Sequence, residues 1–193
     1  MKLNLLLFAA VFLGTSAYAA PLFNQCPPVG NDSGCEFLIT VTAASHGIAT
    51  AYTIATDPNQ GPFDGQGDAN DTLFGIVNKS GTYLSSILLS SSSGIFNFDG
   101  DGVCSGDYGV IPGCPEPPLS TATNSGYDPI GVFYSNVNAT KTSGTVNFAP
   151  ALQNGQSTFF SLEFPLGTPE PSSVFLLGLG ISGAALLRRR LMA

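Results

Sequence analysis

The sequence predicts an all-β domain built as an antiparallel β-sandwich, and three observations support that prediction. Short runs rich in β-branched and aromatic residues recur at spacings of about ten residues. Gly, Ser, Thr and Asn are abundant between these runs, whereas the 193-residue chain contains no Trp and two Met. The central part of the chain also lacks the 3.6-residue apolar period of an amphipathic helix. Short connections between the runs favour antiparallel pairing.

The pattern predicts about eight strands. The first alternates apolar and polar residues from Phe37 to Ala43, and Ser45-His46-Gly47 is expected to form the hairpin turn into the second. A second hairpin is expected around Lys79-Ser80-Gly81. A jelly roll, an immunoglobulin-like sandwich or a partly open barrel would produce this pattern. The later predicted strands are Gly47–Thr56, Thr72–Asn78, Thr82–Ser90, Gly94–Phe98, Ile130–Val137, Thr145–Phe148 and Thr158–Phe164.

The N-terminal residues 1–19 have the features of a secretory signal peptide. Lys2 gives a short positive start, Leu3–Leu13 is apolar apart from Asn4, and Ala17-Tyr18-Ala19 supplies small residues on both sides of one larger residue. This order predicts cleavage before Ala20 and export of the rest of the chain.

The C-terminal segment 169–193 has the features of a membrane-inserted signal. Val174–Leu187 is uncharged and apolar, and three arginines follow it directly. This order predicts a single short membrane helix with its C-terminus in the cytoplasm and the preceding chain outside. The basic stop consists of Arg188, Arg189 and Arg190.

A short Pro-Glu-Pro motif stands just before the apolar helix. Pro169, Glu170 and Pro171, followed by the apolar helix and the basic end, resemble the PEP-CTERM sorting domain of Gram-negative bacteria. In that family a membrane-embedded exosortase recognises the tail and removes it during export. The resemblance therefore implies exosortase as a processing partner and these three residues as the sorting motif. It also implies membrane anchoring before processing and a final place at the cell surface or in the extracellular matrix.

The remaining residues, 20–168, are expected to form one extracellular domain. Only Lys79 and Lys141 of the six basic residues fall in this body, because the other four lie in the two end segments. Of the thirteen acidic residues only Glu170 lies outside it, so twelve acids face two bases. Such a surface repels phosphate groups, which excludes nucleic acid as a partner.

Four cysteines lie in the body, and an even number in an exported domain predicts disulfides. Three pairings are possible, and pairing between sequence neighbours is expected because each bond would enclose a Gly- and Pro-rich loop. Zinc binding is the alternative, although the spacings lack the short C-x2-4-C pattern of structural zinc sites. The cysteines are Cys26, Cys35, Cys104 and Cys114.

Two glycine-rich acidic segments are candidates for Ca2+ binding, since Ca2+ prefers oxygen ligands on flexible backbone. Neither matches an EF-hand loop, because no glutamate stands at the closing position. The alternative is that these Asp-Gly and Asn-Gly pairs simply form turns. The candidate ligands are Asp57, Asp64, Asp68, Asp71, Asp99 and Asp101.

No catalytic residue is predicted. His46 is the single histidine, and the chain has no G-x-S-x-G nucleophile elbow around which a Ser-His-Asp hydrolase would form. Phe98–Gly102 and Ser143–Phe148 loosely resemble the bodies of other uncharacterised PEP-CTERM proteins. The sequence therefore predicts a non-enzymatic, exosortase-processed protein of the surface or matrix, associated with exopolysaccharide in biofilm. The alternative is a secreted carbohydrate-active hydrolase or a Ca2+-dependent carbohydrate-binding module.

Overall fold

The computed structural model describes residues 22–63, 70–115 and 126–163. These ranges contain seven strands, which confirms the all-β prediction, and no helix in them could cross a membrane. The predicted signal peptide, membrane helix and sorting motif lie outside the described residues. The strands are β1 (Phe37–Ser45), β2 (Ile48–Thr56), β3 (Asp71–Asn78), β4 (Leu84–Ser90), β5 (Val132–Ser135), β6 (Ser143–Leu152) and β7 (Ser157–Glu163).

The seven strands form one mixed sheet in the order β5-β6-β4-β2-β1-β3-β7. The predicted antiparallel sandwich is not confirmed, because β1 and β3 run parallel from Phe37↔Phe74 to Val41↔Asn78. β2 turns back along one edge of β1, and the long connection after β2 returns β3 to the other edge in the direction of β1. Alternation in the sequence shows which face a residue takes, but it does not show the direction of the neighbouring strand.

Of the two predicted hairpins, the structure forms one. β1 and β2 pair antiparallel across His46 (φ 51°) and Gly47 (φ 81°), the positive angles that a tight two-residue turn requires. The hairpin predicted at Lys79-Ser80-Gly81 was wrong, because β3 and β4 lie on opposite sides of the β1–β2 pair. Asn78 accepts a hydrogen bond from the backbone N–H of Ser80 at 3.0 Å, so this turn starts a crossover.

The predicted strand Gly94–Phe98 was also wrong, since this segment is a turn beside the sheet. Its Ile95 and Phe96 are buried in the main core, which explains the apolar run. The Phe96 ring lies about 3.0 Å from the position of a Cβ on Gly144, so β6 has no side chain there. A short apolar run can thus be a core-filling turn as well as a strand.

The sheet curls until its two edge strands approach each other, which gives the fold a nearly barrel-like shape. The Tyr134 hydroxyl of β5 donates to the carbonyl of Ser161 in β7 at 2.8 Å, and it also lies 3.0 Å from the carbonyl of Tyr127. The enclosed core includes side chains from both edges, such as Val132 and Phe160. Strand β5, the carboxyl end of β7 and the segment before β5 that contains Tyr127 therefore meet at one seam.

A second, smaller core packs outside the sheet beneath the loops. The structure pairs Cys26 with Cys35 and Cys104 with Cys114, as expected from their proximity in sequence. The paired cysteines lie among Val29, Phe63, Leu73, Val103 and other apolar side chains. This core fixes the acidic loops against β3 and β7.

Candidate functional site: a buried carboxyl cluster

Two acidic residues face each other where β3 begins and β7 ends. Asp71 and Glu163 are directly opposed in the antiparallel β3–β7 pair, and both side chains are buried. Like charges in directly opposed positions destabilise a sheet. This juxtaposition therefore needs a proton, a hydrogen-bond donor or a cation to offset it.

The loop after Phe98 brings two more carboxylates to the same place. The backbone N–H of Asp99 donates to Glu163 Oε1 at 3.1 Å, and Asp101 is buried beside it. The loop is anchored because the Val103 N–H donates to Ser161 Oγ at 3.0 Å. We call Asp71, Asp99, Asp101 and Glu163 the carboxyl cluster.

Tyr127 stands in the middle of the carboxyl cluster. Its hydroxyl oxygen lies 2.7 Å from Asp101 Oδ1, 2.9 Å from Asp99 Oδ1 and 3.1 Å from Glu163 Oε1. A phenol has one proton to donate, so it cannot satisfy three carboxylates at once. The surrounding burial and negative charge raise the pKa of this phenol far above its usual range.

Asp71 completes the cluster and has the least favourable environment. Its side chain is fully buried, and neither carboxylate oxygen has a hydrogen-bond partner. Burial, followed by the charge of Asp101, raises the pKa of Asp71 to about 8, although the nearby Tyr127 hydroxyl opposes the rise. Burial and the charge of Asp99 likewise raise the pKa of Glu163 to about 7. Burial and neighbouring negative charge therefore favour the protonated forms of Asp71 and Glu163 over the ionised forms.

A second group of acids lies on the other side of β3. Burial and the charge of Asp32 raise the pKa of Glu36 to about 7, and the nearby Thr72 hydroxyl partly opposes the rise. One oxygen of Glu36 and one of Asp32 are buried without a hydrogen bond. Asp57 differs, because burial alone would raise its pKa but hydrogen bonds from the N–H groups of Asn59 (3.0 Å) and Leu22 (2.8 Å) lower it.

The second acidic group leads to a prediction about pH. Glu36 keeps its proton in the folded state up to about pH 7, whereas the unfolded chain loses it near the ordinary value of 4.5. The contribution of Glu36 to the free energy of unfolding is therefore present in full at low pH, and it is lost as the pH rises from about 4.5 to about 7. In the Glu36→Gln variant, the fall in the free energy of unfolding over this pH range is expected to be smaller by about 1–2 kcal/mol, after allowance for solvent screening. Thermal unfolding at a series of pH values measures the change in slope.

The matched control is Asp107→Asn, which removes one charge from an exposed loop position. This variant is expected to show the same dependence of the melting temperature on pH as the parent protein. A Glu36→Gln variant with the parent's full pH dependence would contradict the assignment of part of the slope to Glu36.

The structure divides the six predicted Ca2+ ligands. Asp71, Asp99 and Asp101 come together in the carboxyl cluster, whereas Asp57 holds a turn in the second acidic group. Asp64 and Asp68 lie outside the described residues. Sequence reasoning missed Glu163 and Tyr127; a charged residue ending the apolar strand Thr158–Phe164 was the available signal. Among the described residues, no three acidic, His or Cys side chains are already positioned to hold a metal ion.

A surface groove of about 390 Å³ lies elsewhere, at the end of β6 and the beginning of β7. Its lining contains no acidic side chain, and Phe148 is its one aromatic residue. The carboxyl cluster therefore does not open into this groove. The lining residues are Ile130, Gly131, Phe148, Pro150, Leu152, Gly155, Gln156, Ser157 and Thr158.

Together, these features define a disulfide-bonded, acidic all-β domain joined to a C-terminal signal segment. The PEP-CTERM protein-sorting motif matches residues 168–190, which confirms the resemblance seen in the tail. The match supports an exosortase-targeted secreted surface protein, with exosortase as the processing partner and a membrane-anchored signal before processing. No curated protein and no solved structure matches the chain.

Proposed function

We propose that this chain is a non-enzymatic protein of the cell surface or extracellular matrix of a Gram-negative bacterium, where it associates with exopolysaccharide. The PEP-CTERM motif at residues 168–190 carries the proposal. The signal peptide at residues 1–19 exports the chain, and exosortase then removes the tail. The body at residues 20–168 is the part that acts outside the cell.

The form of the body supports a structural or adhesive role over hydrolysis. A glycosidase needs two carboxyl groups that reach the sugar from an accessible cleft. Here Asp71, Asp101 and Glu163 are buried, and the groove at the end of β6 and the beginning of β7 has no acidic residue. The surface does expose the flat rings of Tyr52, Tyr83 and Phe133, which offer contact area for a polysaccharide.

The proposal is tested by changing the sorting motif in the native host. A variant with Pro169→Ala, Glu170→Ala and Pro171→Ala is expected to keep its tail and remain with the membrane. The wild-type protein is expected in the surface and matrix fractions without its tail. A host lacking exosortase is expected to give the wild-type protein the same fate as the variant. Immunoblots of the fractions and intact mass measure both outcomes.

The matched control is Ser172→Ala with Ser173→Ala, which changes adjacent residues and leaves the motif intact. This control is expected to be processed like the wild-type protein. Normal processing of the motif variant, or of the wild-type chain without exosortase, would contradict the proposed export route. Matrix fractions free of the processed protein would instead contradict the association with exopolysaccharide.

A further inference from the structure

The carboxyl cluster brings four acidic side chains together in a largely buried place that has few hydrogen-bond donors. Asp71 and Glu163 are opposed across two strands, and Asp99 and Asp101 approach from the loop. Asp71 is fully buried beside these groups, and neither of its oxygens has a donor in hydrogen-bonding geometry. A buried carboxylate without a donor is costly, so such oxygens are commonly paired with a cation or bound to a metal ion.

We infer that the carboxyl cluster is a calcium site in which Asp71, Asp99, Asp101 and Glu163 supply the oxygen ligands. This inference goes beyond the proposed surface function and does not depend on the route of export. The side chains come from β3, β7 and the loop between β4 and β5, so a bound ion would join three separate parts of the chain.

The chemistry of the donors favours Ca2+ over other common metal ions. All four groups are carboxylates, and Ca2+ takes six to eight oxygen ligands with flexible geometry. Zinc prefers nitrogen and sulfur, but the cysteines are joined in disulfides and His46 lies in the β1–β2 turn. Asp99 is exposed, so the cluster has one member at the surface through which an ion can enter.

The Tyr127 hydroxyl occupies the position between three of the carboxylates. This position explains why the described residues hold no preformed metal centre. Binding of Ca2+ therefore requires the hydroxyl to give up its central place to the ion. In the ion-free protein the hydroxyl and the backbone N–H of Asp99 are donors that partly stabilise the cluster.

The first test is thermal unfolding of the exported protein, purified from its host, with a chelator or with about 10 mM calcium chloride at neutral pH. Calcium is expected to raise the melting temperature by about 5 °C, as for a site with millimolar or tighter affinity. Isothermal titration with calcium chloride is expected to show saturable binding. An unchanged melting temperature and no saturable heat would overturn the inference.

The Asp71→Asn variant separates a calcium site from an acidic cluster with another role. Asparagine can donate a hydrogen bond to Glu163, so the chelator-treated variant is expected to melt at or above the wild-type temperature. Its response to Ca2+ is expected to be lost. A variant with the full wild-type response would overturn the inference, even if the wild-type protein binds Ca2+.

Two further variants keep the test decisive. Asp107→Asn removes one charge from an exposed position in the same glycine-rich loop and is expected to keep the full calcium response. Tyr127→Phe removes the competing hydroxyl and is expected to keep a calcium-induced shift at least as large as that of the wild-type protein. A calcium response lost in Asp107→Asn, or abolished in a folded Tyr127→Phe protein, would contradict the proposed ligands.

Discussion

Replacement of Gly102 by alanine is expected to lower the free energy of unfolding by about 2–3 kcal/mol. A Cβ at this position would lie 2.5–2.8 Å from three ring atoms of Tyr127. The ring is fully buried and its hydroxyl contacts the carboxyl cluster, so a shift of the ring away from an added Cβ would cost packing in the core and hydrogen bonds to the carboxylates. The melting temperature is expected to fall by roughly 5–10 °C.

The control for this prediction is Gly61→Ala. No atom lies within 4 Å of a Cβ added to Gly61, and its backbone angle is not one that favours glycine. This variant is expected to melt within about 2 °C of the parent protein. Equal melting temperatures for Gly102→Ala and the parent would contradict the close packing of Tyr127 on the loop.

Removal of the Cys26–Cys35 disulfide by alanine at both positions is expected to cost about 3 kcal/mol. The bond closes a short loop, and its sulfur atoms are buried in the second core. Cys35 also packs against Gly75 of β3, where an added Cβ would lie 2.6 Å from Sγ. Loss of the bond therefore loosens packing as well as the loop, and thermal or denaturant unfolding measures the cost.

The second disulfide provides the comparison. Cys104–Cys114 spans 10 residues, against 9 for Cys26–Cys35, so the chain-entropy contribution is nearly the same. Cys114 is only half-buried, so less packing is lost when this bond is removed. The Cys104→Ala and Cys114→Ala double variant is expected to be the more stable of the two. The reverse order would contradict the greater packing role given to Cys26–Cys35.

Strands were predicted where one face is buried and the other is not, as in β1, and also where a short run is apolar throughout, as in β3. β3 lacks that contrast, because nearly all of its residues are buried between the two cores. The neighbours of β3 in the sheet, β1 and β7, could not be inferred, because packing between distant parts of the chain determines them. The turn at His46-Gly47 was predictable because its geometry is local.

The acidic cluster was predictable only in part, for the same reason. Asp99 and Asp101 were predicted as candidate ligands because they lie together in one glycine-rich loop, and Asp71 was predicted from another acidic segment. Glu163 reaches the cluster through its register with Asp71, and Tyr127 reaches it from the segment before β5. These contacts join residues far apart in the sequence, and no local pattern specifies them.

The intact mass of the wild-type protein outside its host cell is the most direct measurement of the central claim, which is export followed by removal of the tail. The claim predicts a chain that begins at Ala20, lacks Arg188–Arg190 and carries two disulfides. Full-length protein in the cytosol, with Met1 and Ala193 present and all four thiols free, would contradict it.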